Sequence, residues 1–144
     1  MKTVAQLLAA KVQQDVYTTT PETSVLEALR VMAEKNVGAL PVVKGNELVG
    51  IVSERDYARK MVLQGRSSYA TPVSTIMTAA VIIILPQQTV ADCLALMTEH
   101  RLRHLPVMGN GKLIGLLSIG DLVKETMVEQ AELIRQLEGY IRGE

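Results

Sequence analysis

Apolar and polar positions along the chain switch between a period of two and a period of three to four, and the switch happens twice in the same order. Residues 16–20 are β-branched and aromatic and end at Pro21, which has no N–H to give to a ladder, so they predict a short strand stopped there. The hydroxyls of Thr23 and Ser24 then precede Val25, Ala28, Leu29 and Met32 at helical spacing, which predicts a capped helix. A junction, Asn36-Val37-Gly38-Ala39, leads into Leu40-Pro41-Val42-Val43. Gly45-Asn46 then supplies a tight hairpin turn before Leu48-Val49-Gly50-Ile51-Val52 returns as a strand. Ser53 to Asp56 open a closing helix.

The second pass repeats each step. Residues 81–85 form a continuous apolar run before Pro86, predicted to be a strand buried on both faces. A helix follows from Thr89 through Val90, Cys93, Leu94 and Met97, then the junction Arg101-Leu102-Arg103-His104 and the strand Leu105-Pro106-Val107-Met108. The turn Gly109-Asn110-Gly111 reverses the chain into Leu113-Ile114-Gly115-Leu116-Leu117, and Ser118 to Asp121 start the last helix. The two passes lie 65 positions apart, and at that spacing Pro21, Val25, Leu29, Met32, Glu34, Leu40, Pro41, Val42, Leu48, Gly50, Ser53 and Asp56 all recur. A unit of this length does not usually bury its apolar face alone, so the copies are expected to pack together. A short lead-in helix is expected in the first dozen residues, with a counterpart at Val73-Ser74-Thr75-Ile76-Met77.

Residues 65–72, polar and glycine-punctuated, read as the linker. They divide the chain into a first repeat with its lead-in (1–68), a second repeat (69–127) and a C-terminal helical extension (128–144). Toward the far end of the chain Val123, Met127, Gln130, Ile134, Leu137 and Ile141 make a heptad-like stripe, which fits either a dimer contact or a helix lying on its own domain.

The 144 residues are enough for one compact body of two halves. Fifteen basic and fifteen acidic side chains cancel, leaving no global field for nucleic acid or an anionic membrane, so phosphate recognition has to be local. The single cysteine, Cys93, excludes an intramolecular disulfide, and no segment reaches the length of a membrane span. A soluble, cytoplasmic protein is expected.

The strongest chemical signal is a phrase that occurs twice, Gly50-Ile51-Val52-Ser53-Glu54-Arg55-Asp56 and Gly115-Leu116-Leu117-Ser118-Ile119-Gly120-Asp121. At the end of a strand it places a hydroxyl and a carboxylate on the first turn of a helix, where free backbone N–H groups attract phosphate and the carboxylate suits a vicinal diol. Ser-x-x-Asp is equally a helix N-cap with an acidic residue in the first turn.

The phrase, the Leu-Pro-Val strand before it and the tandem duplication resemble a pair of cystathionine-β-synthase (CBS) domains, a Bateman module. The resemblance extends over residues 3–127. Arg55-Asp56-Tyr57-Ala58-Arg59-Lys60 is also similar to stand-alone bacterial members labelled as related to inosine monophosphate dehydrogenase. It implies an α+β fold (α/β-like) of two β-α-β-β-α units related by a pseudo-twofold axis, with packed sheets and two clefts. The ligands it implies contain adenosine: AMP, ADP, ATP or NAD(H), with S-adenosylmethionine less favoured. Carried onto this chain, one cleft takes Asp121 for ribose, Ser118 and His104 for phosphate, and Val16, Tyr17, Val37, Gly38, Ala39 and Pro41 around the base. The other takes Asp56, Ser53, Glu54 and Arg55, with Ala80, Val81, Ile82, Leu102, Arg103 and Pro106. Arg103 and His104 stand where the first repeat has Gly38 and Ala39, so the clefts are expected to differ, although a solvated helix end also explains a basic pair there.

Enzymatic readings are weaker. Cys93 falls on a helical core position, His100 and His104 lack further metal ligands, and residues 109–115 lie between two strands rather than before a phosphate-binding helix. The expected function is a nucleotide-sensing module with no catalysis, no catalytic cofactor and no metal, pairing as a homodimer and open to a protein partner. The alternative is a dimerising or partner-binding module with vestigial clefts.

Overall fold

The computed structural model describes residues 2–11 and 15–143. Its elements run α1 (Val4–Ala10), α2 (Val25–Lys35), β1 (Ala39–Lys44), β2 (Glu47–Ser53), α3 (Glu54–Tyr57), a π-helical turn (Ala58–Val62), α4 (Val73–Ile76), α5 (Val90–His100), β3 (His104–Gly109), β4 (Lys112–Ser118) and α6 (Ile119–Ile141). The fold is α+β, a tandem pair of small antiparallel sheets, β1-β2 and β3-β4, each with its helices. The lead-in helix expected over the first dozen residues is α1; Met1 and Val12 lie outside the described residues.

Local chemistry accounts for the element ends. Ser24, Thr89, Ser53 and Ser118 each accept a hydrogen bond from a first-turn N–H, satisfying a donor that the helix leaves open. Both α2 and α5 stop on a left-handed residue, Asn36 and Arg101, whose N–H bonds back to Met32 and Met97. The hairpins turn through Gly45 in one sheet and Asn110-Gly111 in the other, all at positive φ.

By its contacts the chain forms two compact units, one of residues 15–82 with 110–113, the other of the described residues of 1–14 with 83–109 and 114–144. These units do not follow the order of the chain: each repeat takes in the lead-in helix that belongs, by sequence, to the other. In the first unit the α4 residues Val73 and Ser74 donate backbone N–H groups to Thr23 and Pro21. Val73 and Ile76 enter a core of Val25, Ala28, Met32, Leu40, Val42, Val52 and Met61. In the second, Val4 and Ala5 of α1 donate to Gln88 and Pro86, and Val4 and Leu7 are buried, as are Val90, Cys93, Met97, Leu105, Val107, Leu117 and Leu122. Each fully buried aliphatic side chain contributes roughly 1.5–3 kcal/mol, so a lead-in helix with two of them is a substantial part of its unit.

This exchange explains the glycine of the repeated phrase. A Cβ on Gly50 would stand 2.6 Å from Met77 Sδ and 3.1 Å from the Thr78 carbonyl oxygen; one on Gly115 would stand 2.6 Å from a Leu8 methyl. The phrase leaves out a side chain where the end of the lead-in helix crosses its strand.

The first strand of each repeat is much shorter than expected. Residues 16–20 and 81–85 reduce to single parallel bridges, Thr19 with Val42 and Ile84 with Val107. The Thr19 N–H donates to Pro41 and the Val43 N–H to Thr19, with Ile84, Pro106 and Met108 repeating the pattern. Proline limits both ladders. The next bond on one side needs an N–H from Pro41 or Pro106, and on the other side from Pro21 or Pro86. Nor is the run 81–85 buried on both faces: Ile84 is fully buried while Ile83 and Leu85 on either side are each 40% exposed.

Candidate functional site

In both repeats the phrase closes into a reciprocal capping box. Ser53 Oγ accepts from the Asp56 N–H at 3.2 Å and Asp56 Oδ2 accepts from the Ser53 N–H at 2.9 Å. Ser118 and Asp121 do the same at 3.2 and 2.8 Å. The capping reading is therefore realised, and it consumes donors expected to be free. The first helical N–H of each phrase is also taken, Glu54 donating to the Gly38 carbonyl at 3.1 Å and Ile119 to that of Arg103 at 2.9 Å. These two bonds hold the helix-to-strand junction against the phrase. They bring Val37, Gly38 and Ala39 to Ser53–Asp56 in one unit, and Leu102, Arg103 and His104 to Ser118–Asp121 in the other.

A capping box alone marks no site, since Thr89 and Asp92 form one at α5. What distinguishes the phrase aspartates is a lysine. Lys60 Nζ lies 3.1 Å from Asp56 Oδ1 and donates to the Ile76 carbonyl at 2.9 Å. Lys11 Nζ lies 3.1 Å from Asp121 Oδ2 and donates to the Leu116 carbonyl at 3.0 Å. Neither lysine was found from the sequence. Lys60 sits four residues after Asp56, a helical ion-pair spacing that could have been read. Lys11 is far away in the chain and carried no signal.

The two carboxylates differ in what they still offer. Asp56 has both oxygens engaged, Oδ2 by the Ser53 N–H and hydroxyl and Oδ1 by Lys60. Asp121 has Oδ2 engaged by the Ser118 N–H and Lys11, while Oδ1 has no partner among the described residues. Both groups are half-buried, with 16% of the Asp56 and 26% of the Asp121 side chain exposed.

The remaining residues named from the sequence fall as follows. Val16, Tyr17, Val37, Gly38, Val81, Ile82 and Leu102 are half-buried, Ala39, Pro41 and Pro106 are buried, and Ala80, Glu54, Arg55 and Arg103 are exposed. Pro41 and Pro106 are strand residues whose carbonyls take the bridge hydrogen bonds. Tyr17 lies beneath Lys35, whose ammonium is 5.2 Å from the ring centroid. His104 is half-buried. Burial pushes its imidazole below the ordinary value; the Asp121 charge opposes that, and the Arg103 and Lys11 charges reinforce it. It is a hydrogen-bonding group more than a cation. Burial, followed by the Asp92 charge, raises the Cys93 thiol, which keeps it in the inert thiol form. Among the described residues no cluster of three or more His, Cys, Asp or Glu could hold a metal, and no helix is long and apolar enough to cross a membrane.

Comparison with known proteins gives the following. The family model described as "CBS domain" matches residues 5–63 and 73–128. The CBS domain-containing protein CBSX3, mitochondrial, of Arabidopsis thaliana is 44% identical over 129 residues, covering 86% of this chain and 63% of that protein, so the chain spans less than two thirds of this relative. A solved structure of a protein with CBS domains from Burkholderia ambifaria superposes with a TM-score of 0.86 at 57% identity, covering 90% of this chain and 96% of the other. The structure of CBSX2 in complex with AMP superposes with a TM-score of 0.72 at 28% identity, covering 88% and 97%.

Proposed function

Because the chain belongs to the CBS-domain family as a tandem pair, we propose that it is a regulatory module that binds an adenosine-containing nucleotide at its two repeated phrases and performs no catalysis of its own. One observation carries the reading. Asp121 is fixed by its cap and by Lys11, yet presents an oxygen with no partner among the described residues. An anchored carboxylate with two open lone pairs is what a ribose diol needs, and it is held in place before the ligand arrives.

AMP leads as the ligand, supported by the related CBSX2 structure in complex with AMP. ADP, ATP and NAD(H) share its adenosine and phosphate, and S-adenosylmethionine, a cation, fits the Lys11 and Arg103 charges less well. In this reading Asp121 and Asp56 take ribose, and Ser118 and Ser53 lie by the phosphate with His104 and Arg55. The base rests on the aliphatic strand-entry and junction residues, since the chain has no Phe or Trp to stack on it. A reducing compartment such as the cytoplasm suits the buried thiol.

The test is thermal. AMP at 100-fold over its dissociation constant stabilises the fold by about 2.7 kcal/mol, a rise in Tm of about 5–10 °C for a domain of this size. In Asp121→Ala the affinity falls about 10- to 150-fold, the worth of hydrogen bonds to a charged group. No shift with AMP, ADP, ATP or NADH removes the reading.

A second reading, a dimerising or partner-binding module with vestigial clefts, is favoured by α6. Its stripe is open to solvent, with Met127 65% and Ile141 82% exposed and Ile134 and Leu137 also exposed. A second copy of the chain is the occupant we propose, which fits the nucleotide reading equally well; a monomer mass by light scattering would count against it.

A further inference from the structure

The basic residues around Asp121 include one that the sequence did not suggest. His104 is held toward its neutral form by burial, and the Arg103 side chain is exposed, where solvent screens it. The fixed, half-buried cation is Lys11, brought in by the end of α1. Its ammonium group has three donors; one goes to the Leu116 carbonyl at 3.0 Å, one to Asp121 Oδ2 at 3.1 Å, and the third has no acceptor among the described residues.

We propose that Lys11 is the residue that makes the Asp121 site prefer phosphorylated adenosine ligands over the bare nucleoside. This rests on the nucleotide reading above. An unpaired Asp121 would attract the ribose hydroxyls but repel a phosphate on the same ligand. Lys11 cancels that repulsion at Oδ2, leaves Oδ1 open to the diol, and keeps one N–H donor in reserve for an anion.

Calorimetric titration of the full chain with AMP and with adenosine tests the assignment. The wild type binds AMP more tightly than adenosine. In Lys11→Gln the AMP affinity falls further than the adenosine affinity, so that about tenfold or more of the preference is lost, the scale of one charge-assisted hydrogen bond; Lys11→Arg keeps the preference. An unchanged AMP-to-adenosine ratio in Lys11→Gln overturns the proposal, as does an equal loss for both ligands, which marks a structural role. If AMP binding depends on Asp121 but not on Lys11, only this inference fails. If neither ligand binds the wild type, the nucleotide reading fails and takes this inference with it.

Discussion

The two copies of the phrase are the same up to the serine and aspartate and different in what surrounds them. In the first, the helix after Ser53 runs four residues, Glu54–Tyr57, and widens into a π-helical turn that brings Lys60 over Asp56 and onto the α4 backbone. In the second, one continuous helix of 23 residues follows Ser118, and the lysine arrives from α1 instead. The position that is Lys60 in the first repeat is Glu125 in the second, where it pairs with Lys2. Each repeat thus supplies its aspartate with one lysine by a different route. The routes leave different acceptors: a carboxylate with both oxygens used at Asp56, and one with a free oxygen at Asp121. Identical motifs do not make identical sites when the counter-ion comes from elsewhere. If the nucleotide reading holds, this comparison makes Asp121 the site expected to fill first.

The largest expected effect tests the part that the repeats share. Gly50→Ala and Gly115→Ala each force a Cβ against the end of a lead-in helix, with overpacking costs of about 1–3 kcal/mol. Gly50→Ala is the worse of the two, because the Thr78 carbonyl at 3.1 Å belongs to the backbone, whereas the Leu8 methyls near Gly115 can turn aside. Chemical denaturation reads both. Equal stability of Gly50→Ala and wild type would show that the α4 crossing is not as tight as described.

A smaller effect separates the repeats. Lys60→Gln releases Asp56 Oδ1, so adenosine, which carries no phosphate for the uncompensated carboxylate to repel, binds the Asp56 site more tightly and its two calorimetric affinities move closer together. Sites that remain as far apart as in the wild type would refute the idea that Lys60 occupies the Asp56 site.

The smallest effect belongs to His104. Its folded value lies below the ordinary 6.5, so as pH falls below that value the unfolded chain takes up a proton before the folded one does. His104 therefore costs stability only on the acid side, progressively from about pH 6.5 downward, and nothing above it. His104→Gln flattens that part of the stability profile. A slope that is the same in both proteins between about pH 5 and 6.5 would place the acid sensitivity elsewhere.

Much of this was legible in the residues. Proline, glycine and hydroxyl punctuation fixed the helix caps and hairpins, because those features depend on neighbours within a few positions. The recurrence of Val25, Met32, Leu40 and Val42 at Val90, Met97, Leu105 and Val107 identified both cores. The first strands are shorter than their β propensity suggests because extending each ladder needs an N–H that Pro41 or Pro106 on the partner strand lacks.

By itself the sequence determined the duplication, the elements, the capped phrase and the two aspartates, all properties of local pattern or of identity at a fixed spacing. Only the tertiary structure decided which lead-in helix joins which repeat, why the phrase begins with glycine, and that Lys11 stands on Asp121. Those contacts join residues that share no periodicity and lie from 27 positions (Gly50 and Met77) to 110 positions (Lys11 and Asp121) apart, so no local pattern announces them. They form because burying Val4, Leu7, Val73 and Ile76 outweighs the modest loop-closure entropy of bringing distant segments together.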